Sequence, residues 1–331
     1  MKIAIVKLSA LGDIVHSMIG LQFIKKYDQE IKVDWVVEES YKELLEYHPD
    51  INKVHIVNIK KAKNKKSLYL LINELRKVRQ FGAYDLVIDL QGLVKSALIS
   101  RLIPSPITIG FDKSSSRESA SSVFYNKTFK YGYKENIIER NFELIKFALG
   151  LTSKKEEIIN KFPFLYTREK YLASNLSSFK KNILLIPSAS IKSKRYSPIK
   201  LAELTMMLDA NYLIIWGDNE EKTIAEEVKA LSPQVNICDK LTLQSLISLI
   251  LQVDLVIGPD TGPTHMAWAL NIPSITLFGT TPGYRNAYST KINKIIESHS
   301  EVNPLKIDKQ DYSINDIKVL EVVNLAQDLL K

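Results

Sequence analysis

Cysteine is nearly absent from this chain: Cys238 is the only one in 331 residues. A single cysteine cannot close an internal disulfide, which is typical of proteins in the reducing cytoplasm. No apolar run reaches the roughly 18 residues that a membrane-spanning helix needs. The N-terminus lacks the charged, apolar and cleavage-site regions of a signal peptide, so we expect a cytoplasmic protein.

Several ligand-binding motifs are absent as well. The chain has neither a G-x-G-x-x-G dinucleotide motif nor a P-loop, which argues against NAD-dependent and NTP-hydrolysing classes. It has no zinc-finger, helix-turn-helix or RNA-recognition pattern, so we expect no nucleic-acid partner.

The composition that is present fits a globular protein of two domains. Hydrophobic residues make up 45% and charged residues 25% of the chain, and 331 residues exceed what one core usually fills. Residues 1–150 carry +7 of the net charge of +8. A basic first half suggests an anionic partner. Its densest run, Lys60–Lys66, is either part of that contact or a solvated lysine-rich loop.

Strand and helix patterns alternate in two series, which predicts parallel sheets with helices on both faces. Strands are predicted at 2–7, 32–37, 54–57, 85–90 and 106–110, and then at 182–187, 212–216, 235–237, 254–257 and 274–278. Helices are predicted at 14–27, 40–47, 67–80, 93–102 and 135–149, and then at 198–209, 219–230, 242–251, 262–270 and 315–330. We therefore expect two Rossmann-like domains with a cleft between their sheets.

The most informative segment is the loop GPDTGPTHMA at residues 258–267. It joins a predicted buried strand to a predicted helix. Backbone N–H groups at a helix start, together with the helix dipole, attract anions such as a diphosphate. Asp260 lies at the carboxyl end of the strand, where open α/β sheets bind ligands. The alternative is an ordinary turn in which Asp260 or Thr261 caps the helix.

A second strand-to-helix turn opens the chain, with KLSALGDIVH at residues 7–16. Asp13 lies at the junction of turn and helix. It is a candidate general base facing a cleft, and equally a candidate helix N-cap. Two domains that each contribute a strand-end carboxylate suit an enzyme with two substrates.

Two further loops follow strands of the second half. SASIKSKRY at 188–196 offers hydroxyls and cations that bind phosphate by charge-assisted hydrogen bonds. Chemistry alone does not rank Lys192, Lys194 and Arg195, and the alternative is an exposed basic loop. WGDNEE at 216–221 carries carboxylates that either accept from ribose hydroxyls or start a helix.

Together these four segments resemble the ADP-heptose:lipopolysaccharide heptosyltransferases, which are glycosyltransferases of the GT-B fold. The resemblance covers nearly the whole chain, and the D-T-G-x-x-H block at 260–265 is its most specific part. Within the family, the shorter blocks Ser116–Glu118 and Val123–Asn126 resemble heptosyltransferase I. The resemblance implies an acceptor-binding domain at 1–160 and an ADP-heptose-binding domain at 175–314. The helix at 315–331 could pack back on the first domain.

The resemblance also implies roles for individual residues. Asp13 matches the general base that takes the acceptor's proton, Lys194 the lysine at the donor phosphate, and Asp260 the carboxylate near the donor heptose. Ala189 and Ser190 stand where the family has two threonines, so one hydroxyl is missing. The other implied donor contacts are Ser188, Glu221 (with Glu220 as a rival) at the ribose, Leu241 at the adenine, and Thr261, Gly262 and His265 at the diphosphate.

The implied reaction is an inverting transfer of L-glycero-D-manno-heptose from ADP-heptose to the Kdo of Kdo2-lipid A. It needs one base and a stabilised leaving group, and Lys194, His265 and the helix start would stabilise ADP. The chain has no D-x-D pair of the kind that holds a divalent ion in metal-dependent transferases. We therefore expect a metal-independent enzyme with no metal site and no cofactor.

On the acceptor side, we expect basic residues of the first half to border an anionic lipid at the inner face of the inner membrane. The candidates are Lys60, Lys61, Lys63 and Arg117. We expect a cytoplasmic monomer that is peripheral on an anionic membrane surface. The alternatives are heptosyltransferase II, another nucleotide-sugar enzyme of the GT-B fold, and a noncatalytic nucleotide-sugar binding protein.

Overall fold

Each half of the chain folds around one parallel six-stranded sheet. The computed structural model describes residues 1–331, which divide into two units, Met1–Tyr166 and Thr167–Lys331. In the central strands of both sheets every residue is buried except Lys2, which begins β1. Parallel sheets are covered on both faces, which explains why these strands are continuous apolar runs.

The first sheet has the strand order β3-β2-β1-β4-β5-β6. Its strands are β1 (Lys2–Val6), β2 (Lys32–Glu38), β3 (Lys53–Val57), β4 (Leu86–Asp89), β5 (Thr108–Phe111) and β6 (Lys127–Phe129). The chain winds from β1 to one edge and then returns to β4, which pairs with β1 on its other side. The direction of winding therefore reverses between β1 and β4.

Six α-helices accompany the first sheet. They are α1 (Leu11–Met18), α2 (Gly20–Tyr27), α3 (Ile59–Asn64), α4 (Leu68–Val78), α5 (Val94–Leu102) and α6 (Ile137–Leu149), with 3₁₀ helices at Glu39–Leu44, Ser119–Phe124 and Lys155–Ile158.

The second sheet repeats this plan with the order β12-β11-β10-β7-β8-β9. Its strands are β7 (Asn182–Leu185), β8 (Asn211–Ile214), β9 (Val235–Ile237), β10 (Leu255–Pro259), β11 (Ser274–Phe278) and β12 (Asn293–Glu297). Here the winding reverses between β7 and β10. Its helices are α7 (Pro198–Met207), α8 (Asn219–Leu231), α9 (Leu243–Ile250), α10 (Gly262–Ala269), α11 (Gly283–Asn286) and α12 (Val319–Leu330), with 3₁₀ helices at Lys192–Lys194 and Ser313–Asp316.

The sequence patterns missed both of the last strands, β6 and β12. Each lies at the edge of its sheet, where one side of the strand has no neighbour. Lys127 and Thr128 are exposed in β6, and β12 is only partly buried. Edge strands of this kind do not show the continuous apolar run by which the central strands are recognised.

Several helix predictions were also inexact. The helix predicted at 14–27 is two helices, α1 and α2, that meet at Ile19. Ile19 keeps right-handed helical angles (φ −54°, ψ −29°), so the apolar spacing continues across the junction. The helix predicted at 40–47 is the short 3₁₀ helix Glu39–Leu44.

The C-terminal helix α12 packs against the core of the second unit. Its buried side chains are Val319, Val322, Val323 and Ala326. They join the core of the second sheet, against α7 and the strands β10 and β11.

Candidate functional site

Lys194 and Asp260 meet at the point where the second sheet reverses its winding. Ligands of open α/β sheets bind outside the carboxyl ends of the strands at this point. Lys194 lies in the loop after β7, and Asp260 directly follows β10. Lys194 Nζ is 2.5 Å from Asp260 Oδ2 and 3.1 Å from the backbone oxygen of Asp260.

Asp260 is buried, and both of its carboxylate oxygens are engaged. His265 Nε2 lies 2.9 Å from Oδ1, while Thr281 Oγ1 (2.8 Å) and Asn286 Nδ2 (3.2 Å) donate to Oδ2 beside Lys194. Burial alone would raise the pKa of Asp260, but the charge of Lys194 and the hydrogen bond from His265 hold it well below its usual range. The ionised carboxylate therefore holds Lys194 and His265 in place.

The start of α10 is not closed by a side chain. Thr261 is the N-cap in extended conformation, and its hydroxyl makes no capping hydrogen bond. Thr261 therefore holds the N-cap position that the alternative gave it, but its side chain leaves the N–H groups of the first turn unpaired. Gly258, near the end of β10, lets this strand lie close to the residue that follows β7, because a Cβ there would be 2.5 Å from Ile186 Cβ and 2.8 Å from Thr264 Oγ1.

The structure separates the three cations of the loop after β7. Lys192 Nζ and Arg195 Nη1 both contact Glu220, at 3.1 and 2.8 Å. Hydrogen bonds from Arg195 and then Lys192 lower the pKa of the exposed Glu220 to about 2. The side chain of Lys192 is 69% exposed, whereas that of Lys194 is 14% exposed and directed at Asp260.

The neighbouring Glu221 belongs to the first turn of α8. Asp218 caps this helix by accepting from Glu221 N at 3.0 Å, and the Glu221 carboxylate accepts from Gly217 N at 2.6 Å. Both carboxylates thus stabilise the helix start, as the helical alternative predicted. Leu241 is half-buried in the segment before α9.

The three expected donor contacts at 188–190, in the loop after β7, differ in their exposure. Ser188 is buried, and its hydroxyl has no hydrogen-bond partner within the protein. The Ala189 carbonyl accepts from Arg195 Nε at 2.9 Å, and Ser190 is exposed. An unpartnered hydroxyl at a strand end is available to a ligand, since burial without a hydrogen bond is unfavourable.

Thr281 and Asn286 were missed by the sequence analysis. Both follow β11, and both donate to the Asp260 carboxylate. The available signal was GTTPG at 279–283, a loop of glycine, threonine and proline directly after a predicted strand. This composition matches that of the loop at 258–267.

In the first unit, Asp13 lies in the first turn of α1 and is half-buried. Ala10, not Asp13, is the N-cap, and the Asp13 carboxylate accepts from Ala10 N at 3.3 Å. Tyr41 is close enough that its pKa responds: burial raises it first, and the charges of Glu38 and Asp13 raise it further.

Gln91 joins the two strand ends where the first sheet reverses its winding. It follows β4, and its Oε1 accepts from Leu8 N at 2.7 Å and from Ser9 N at 3.2 Å. Its Nε2 donates to Ser9 O at 2.8 Å. One side-chain amide thus binds the loop after β1 in the way that a neighbouring strand would.

The basic residues of the first half lie on two separate segments. Lys60, Lys61 and Lys63 are exposed on α3, and Lys65 and Lys66 follow in the turn, so the run is solvated, as its alternative also expected. Lys60 N donates to the buried Glu38 carboxylate at 3.0 Å. Arg117 is exposed in the segment after β5.

The chain has neither a group of metal-ligating side chains nor a helix suited to span a membrane. No three His, Cys, Asp or Glu side chains are grouped so that they could hold a metal ion. None of the helices combines the length and the apolar character needed to cross a bilayer.

The chain is similar in sequence and in structure to known glycosyltransferases. A family profile described as glycosyltransferase family 9 (heptosyltransferase) matches residues 71–312. Lipopolysaccharide heptosyltransferase 1 of Campylobacter coli is 40% identical, over 99% of both chains. Lipopolysaccharide heptosyltransferase 1 of Escherichia coli K12 is 28% identical, over 87% of this chain and 91% of that protein. The solved structure of E. coli heptosyltransferase WaaC with ADP superposes with a TM-score of 0.80 at 23% identity, over 99% and 100% of the chains. This likeness confirms the predicted α/β GT-B fold with two Rossmann-like sheets.

Proposed function

The chain belongs to glycosyltransferase family 9, the heptosyltransferases, and from this premise we propose that it transfers L-glycero-D-manno-heptose from ADP-heptose to the Kdo of Kdo2-lipid A. The two relatives named above are both heptosyltransferases 1, and the chain is a glycosyltransferase of lipopolysaccharide core synthesis. The observation that carries the donor half of the proposal is the buried Lys194–Asp260 pair at the switch point of the second sheet.

The donor diphosphate is proposed to bind between Lys194 and the start of α10. Two of the three ammonium hydrogens of Lys194 face Asp260, which leaves one for a phosphate oxygen. The uncapped N–H groups after Thr261 add donors and the positive end of the helix dipole. Ser188, Ala189 and Ser190 would line this region. Gly262 and His265 complete the anion-binding turn, with Glu221 at the ribose and Leu241 at the adenine.

The reaction then needs one proton acceptor and one stabilised leaving group. Asp13 takes the proton of the Kdo hydroxyl while the hydroxyl oxygen attacks the anomeric carbon of the donor heptose from the face opposite ADP. The bond from that carbon to the diphosphate oxygen breaks, and the configuration is inverted. ADP leaves with an additional negative charge, which Lys194 and the helix start stabilise. No step requires a metal ion or a cofactor.

The acceptor side is proposed to lie on the basic first unit. Lys60, Lys61 and Lys63 on α3 and Arg117 after β5 are exposed cations suited to carboxylate and phosphate groups. An acceptor of this class is anchored in a membrane, so we propose a cytoplasmic protein that is peripheral on the inner membrane.

One incubation tests the proposal directly. The protein is mixed with ADP-heptose and Kdo2-lipid A, and the lipid is analysed by mass spectrometry. We expect one added heptose and released ADP, with full activity after exhaustive EDTA treatment. Transfer only to an acceptor that already carries heptose would support heptosyltransferase II instead. ADP-heptose binding without any turnover would support a noncatalytic binding protein, and activity restored only by Mg²⁺ would exclude the metal-independent mechanism.

A further inference from the structure

The hairpin formed by α3 and α4 combines positive charge with exposed apolar side chains. Its sequence from 59 to 72, IKKAKNKKSLYLLI, contains five lysines and no acidic residue. The chain reverses at Lys66, which has φ 48°, and Ser67 N donates to Ala62 O at 3.1 Å. Ser67 also caps α4 by accepting from Leu70 N at 3.3 Å. The turn lysines therefore directly precede the first turn of α4.

That first turn presents large apolar groups to solvent. Leu68 is 69% exposed, Tyr69 73% and Ile72 39%. Spacings of three and four residues place Ile72 beside Tyr69 and Leu68 on the helix surface. Of the apolar side chains of α4, only Val78 is buried. An apolar patch of this kind beside a group of like charges indicates an interaction surface.

We propose that this hairpin docks on an anionic lipid bilayer. Leu68, Tyr69 and Ile72 enter the interface, and the lysines contact the headgroups. A bilayer fits better than a protein groove, because five cations follow one another between Lys60 and Lys66 and match an extended negative surface. The one acid of the hairpin, Glu74, accepts from Asn58 N and lies 3.8 Å from Lys77 Nζ. Tyrosine is also favoured at the membrane–water boundary. The proposal deepens the proposed function, since it states how the first unit reaches a lipid-linked acceptor.

Binding to vesicles in the absence of donor and acceptor tests this surface separately from catalysis. Sedimentation is measured with phosphatidylcholine vesicles that either contain or lack phosphatidylglycerol. The combined variant Leu68→Ser, Tyr69→Ser, Ile72→Ser should bind anionic vesicles about tenfold more weakly at low and high salt. Lys65→Glu with Lys66→Glu should weaken binding mainly at low salt, because salt screens charge.

The matched control is Leu172→Ser with Phe179→Ser, two apolar residues of the second unit that are 82% and 99% exposed. It should bind vesicles like the wild type. Unchanged vesicle affinity of the triple serine variant, or an equal loss in the control, overturns the proposal. Transfer to a deacylated, water-soluble acceptor should persist in the triple variant. Absence of that transfer in the wild type would refute the proposed function and leave the docking result standing.

The loop that leads to Asp13 is held by a side chain from the neighbouring strand end. Gln91 holds Leu8 and Ser9 by three short hydrogen bonds, and this loop enters α1 at once. Gln91 is itself held, because its N–H donates to the buried Asp89 carboxylate at 2.8 Å. Asp89 also accepts from Ser96 Oγ and Tyr125 OH, each at 2.8 Å. These bonds connect the loop to the buried core at β4.

We infer that Gln91 is a positioning residue that sets the orientation of Asp13 for proton transfer. The inference rests on the proposed function, in which Asp13 is the base. Gln91→Leu should lower kcat about 10- to 100-fold, because small displacements of a catalytic group are costly. ADP affinity should stay within error of the wild type, and Tm should fall by only a few degrees, so that the variant is still folded at the assay temperature. Gln91→Glu keeps the acceptor for Leu8 N and Ser9 N but cannot donate to Ser9 O. Its kcat should therefore lie between those of the wild type and Gln91→Leu.

Gln80→Leu, at an exposed position in the same unit, serves as the control and should keep the wild-type kcat. A normal kcat in Gln91→Leu, or a loss of kcat that only follows a lowered Tm, overturns the positioning role. If the wild type itself transfers no heptose, the proposed function fails, and the inference fails with it.

Discussion

Lys194 and Asp260 form a buried ion pair across 66 positions of sequence, with Nζ 2.5 Å from Oδ2. The pair exists because β7 and β10 are neighbours in the sheet although two strands separate them in the chain. Thr281, in the loop after β11, and Asn286, at the end of α11, reach the same oxygen. Three adjacent strand ends thus contribute to one charged group.

Replacing Lys194 by Ala should weaken ADP binding. A charge-assisted contact to phosphate is worth about 1.5–3 kcal/mol, which corresponds to a rise in Kd of roughly 10- to 150-fold. Isothermal titration with ADP measures this change. Lys192→Ala is the matched control, because Lys192 contacts Glu220 and not Asp260. A clear loss with Lys192→Ala and none with Lys194→Ala would assign the phosphate contact to the other lysine.

Asp260→Asn should destabilise the second unit at neutral pH. Removing one partner of a buried pair leaves an uncompensated charge, at a cost of about 3–5 kcal/mol in the free energy of unfolding. The folded pKa of Asp260 is lowered, so its contribution is complete above the unfolded value and is lost only as pH falls through the folded one.

Urea unfolding of wild type and Asp260→Asn measures this contribution at several pH values. The difference between the two proteins should be constant from pH 7 to about pH 5 and decrease only below about pH 4. Thr281→Val is a milder comparison, because it removes one neutral donor and should cost about 1 kcal/mol. A difference that disappears already at pH 6 would contradict the ionised state of Asp260.

Asp13→Asn should reduce kcat by about 10²–10⁴, the usual contribution of a general base. The amide oxygen can still accept from Ala10 N, so Tm and ADP affinity should stay unchanged. Steady-state transfer assays and thermal unfolding separate the two quantities. Near-normal kcat with a lowered Tm would show that Asp13 only stabilises the start of α1 and is not the general base.

His48 should make the first unit sensitive to mild acid. Burial lowers its pKa to about 4, and its Nδ1 accepts from Asp50 N at 3.1 Å. Between about pH 6.5 and pH 4 the unfolded chain binds the proton and the folded chain does not, so stability falls as pH falls. The loss from pH 7 to pH 5 is about 2 kcal/mol.

Replacing His48 by Asn, whose side-chain oxygen can replace Nδ1 as the acceptor, should remove this part of the pH dependence. The exposed His299→Asn is the control and should retain it. Urea unfolding gives the free energy of unfolding of each protein at pH 7 and at pH 5. An equal decrease in stability in His48→Asn and in the wild type would assign the acid sensitivity to other groups.

The fold class could be predicted because its cause is local. A strand covered on both faces has to be apolar throughout, so β1, β4, β7 and β10 are visible as runs in the sequence. The loops at 8–16 and 258–267 could also be recognised, since a tight turn into a helix restricts the residue types it accepts. The edge strands β6 and β12 show no continuous apolar run and were missed, whereas the other two edge strands, β3 and β9, were found.

Which side chains meet at the site depends on the order of the strands in the sheet, and not on local sequence patterns. Lys192, Lys194 and Arg195 are chemically alike and adjacent, and only the placement of β7 beside β10 directs Lys194 to Asp260 and leaves the other two to Glu220. In the first unit, the corresponding placement of β4 beside β1 puts Gln91 next to Ser9. Strand order arises from how helices cross and cover the sheet, which involves contacts between residues far apart in the chain. Local patterns therefore identify the loops, while the packing of the whole sheet selects which of their side chains meet.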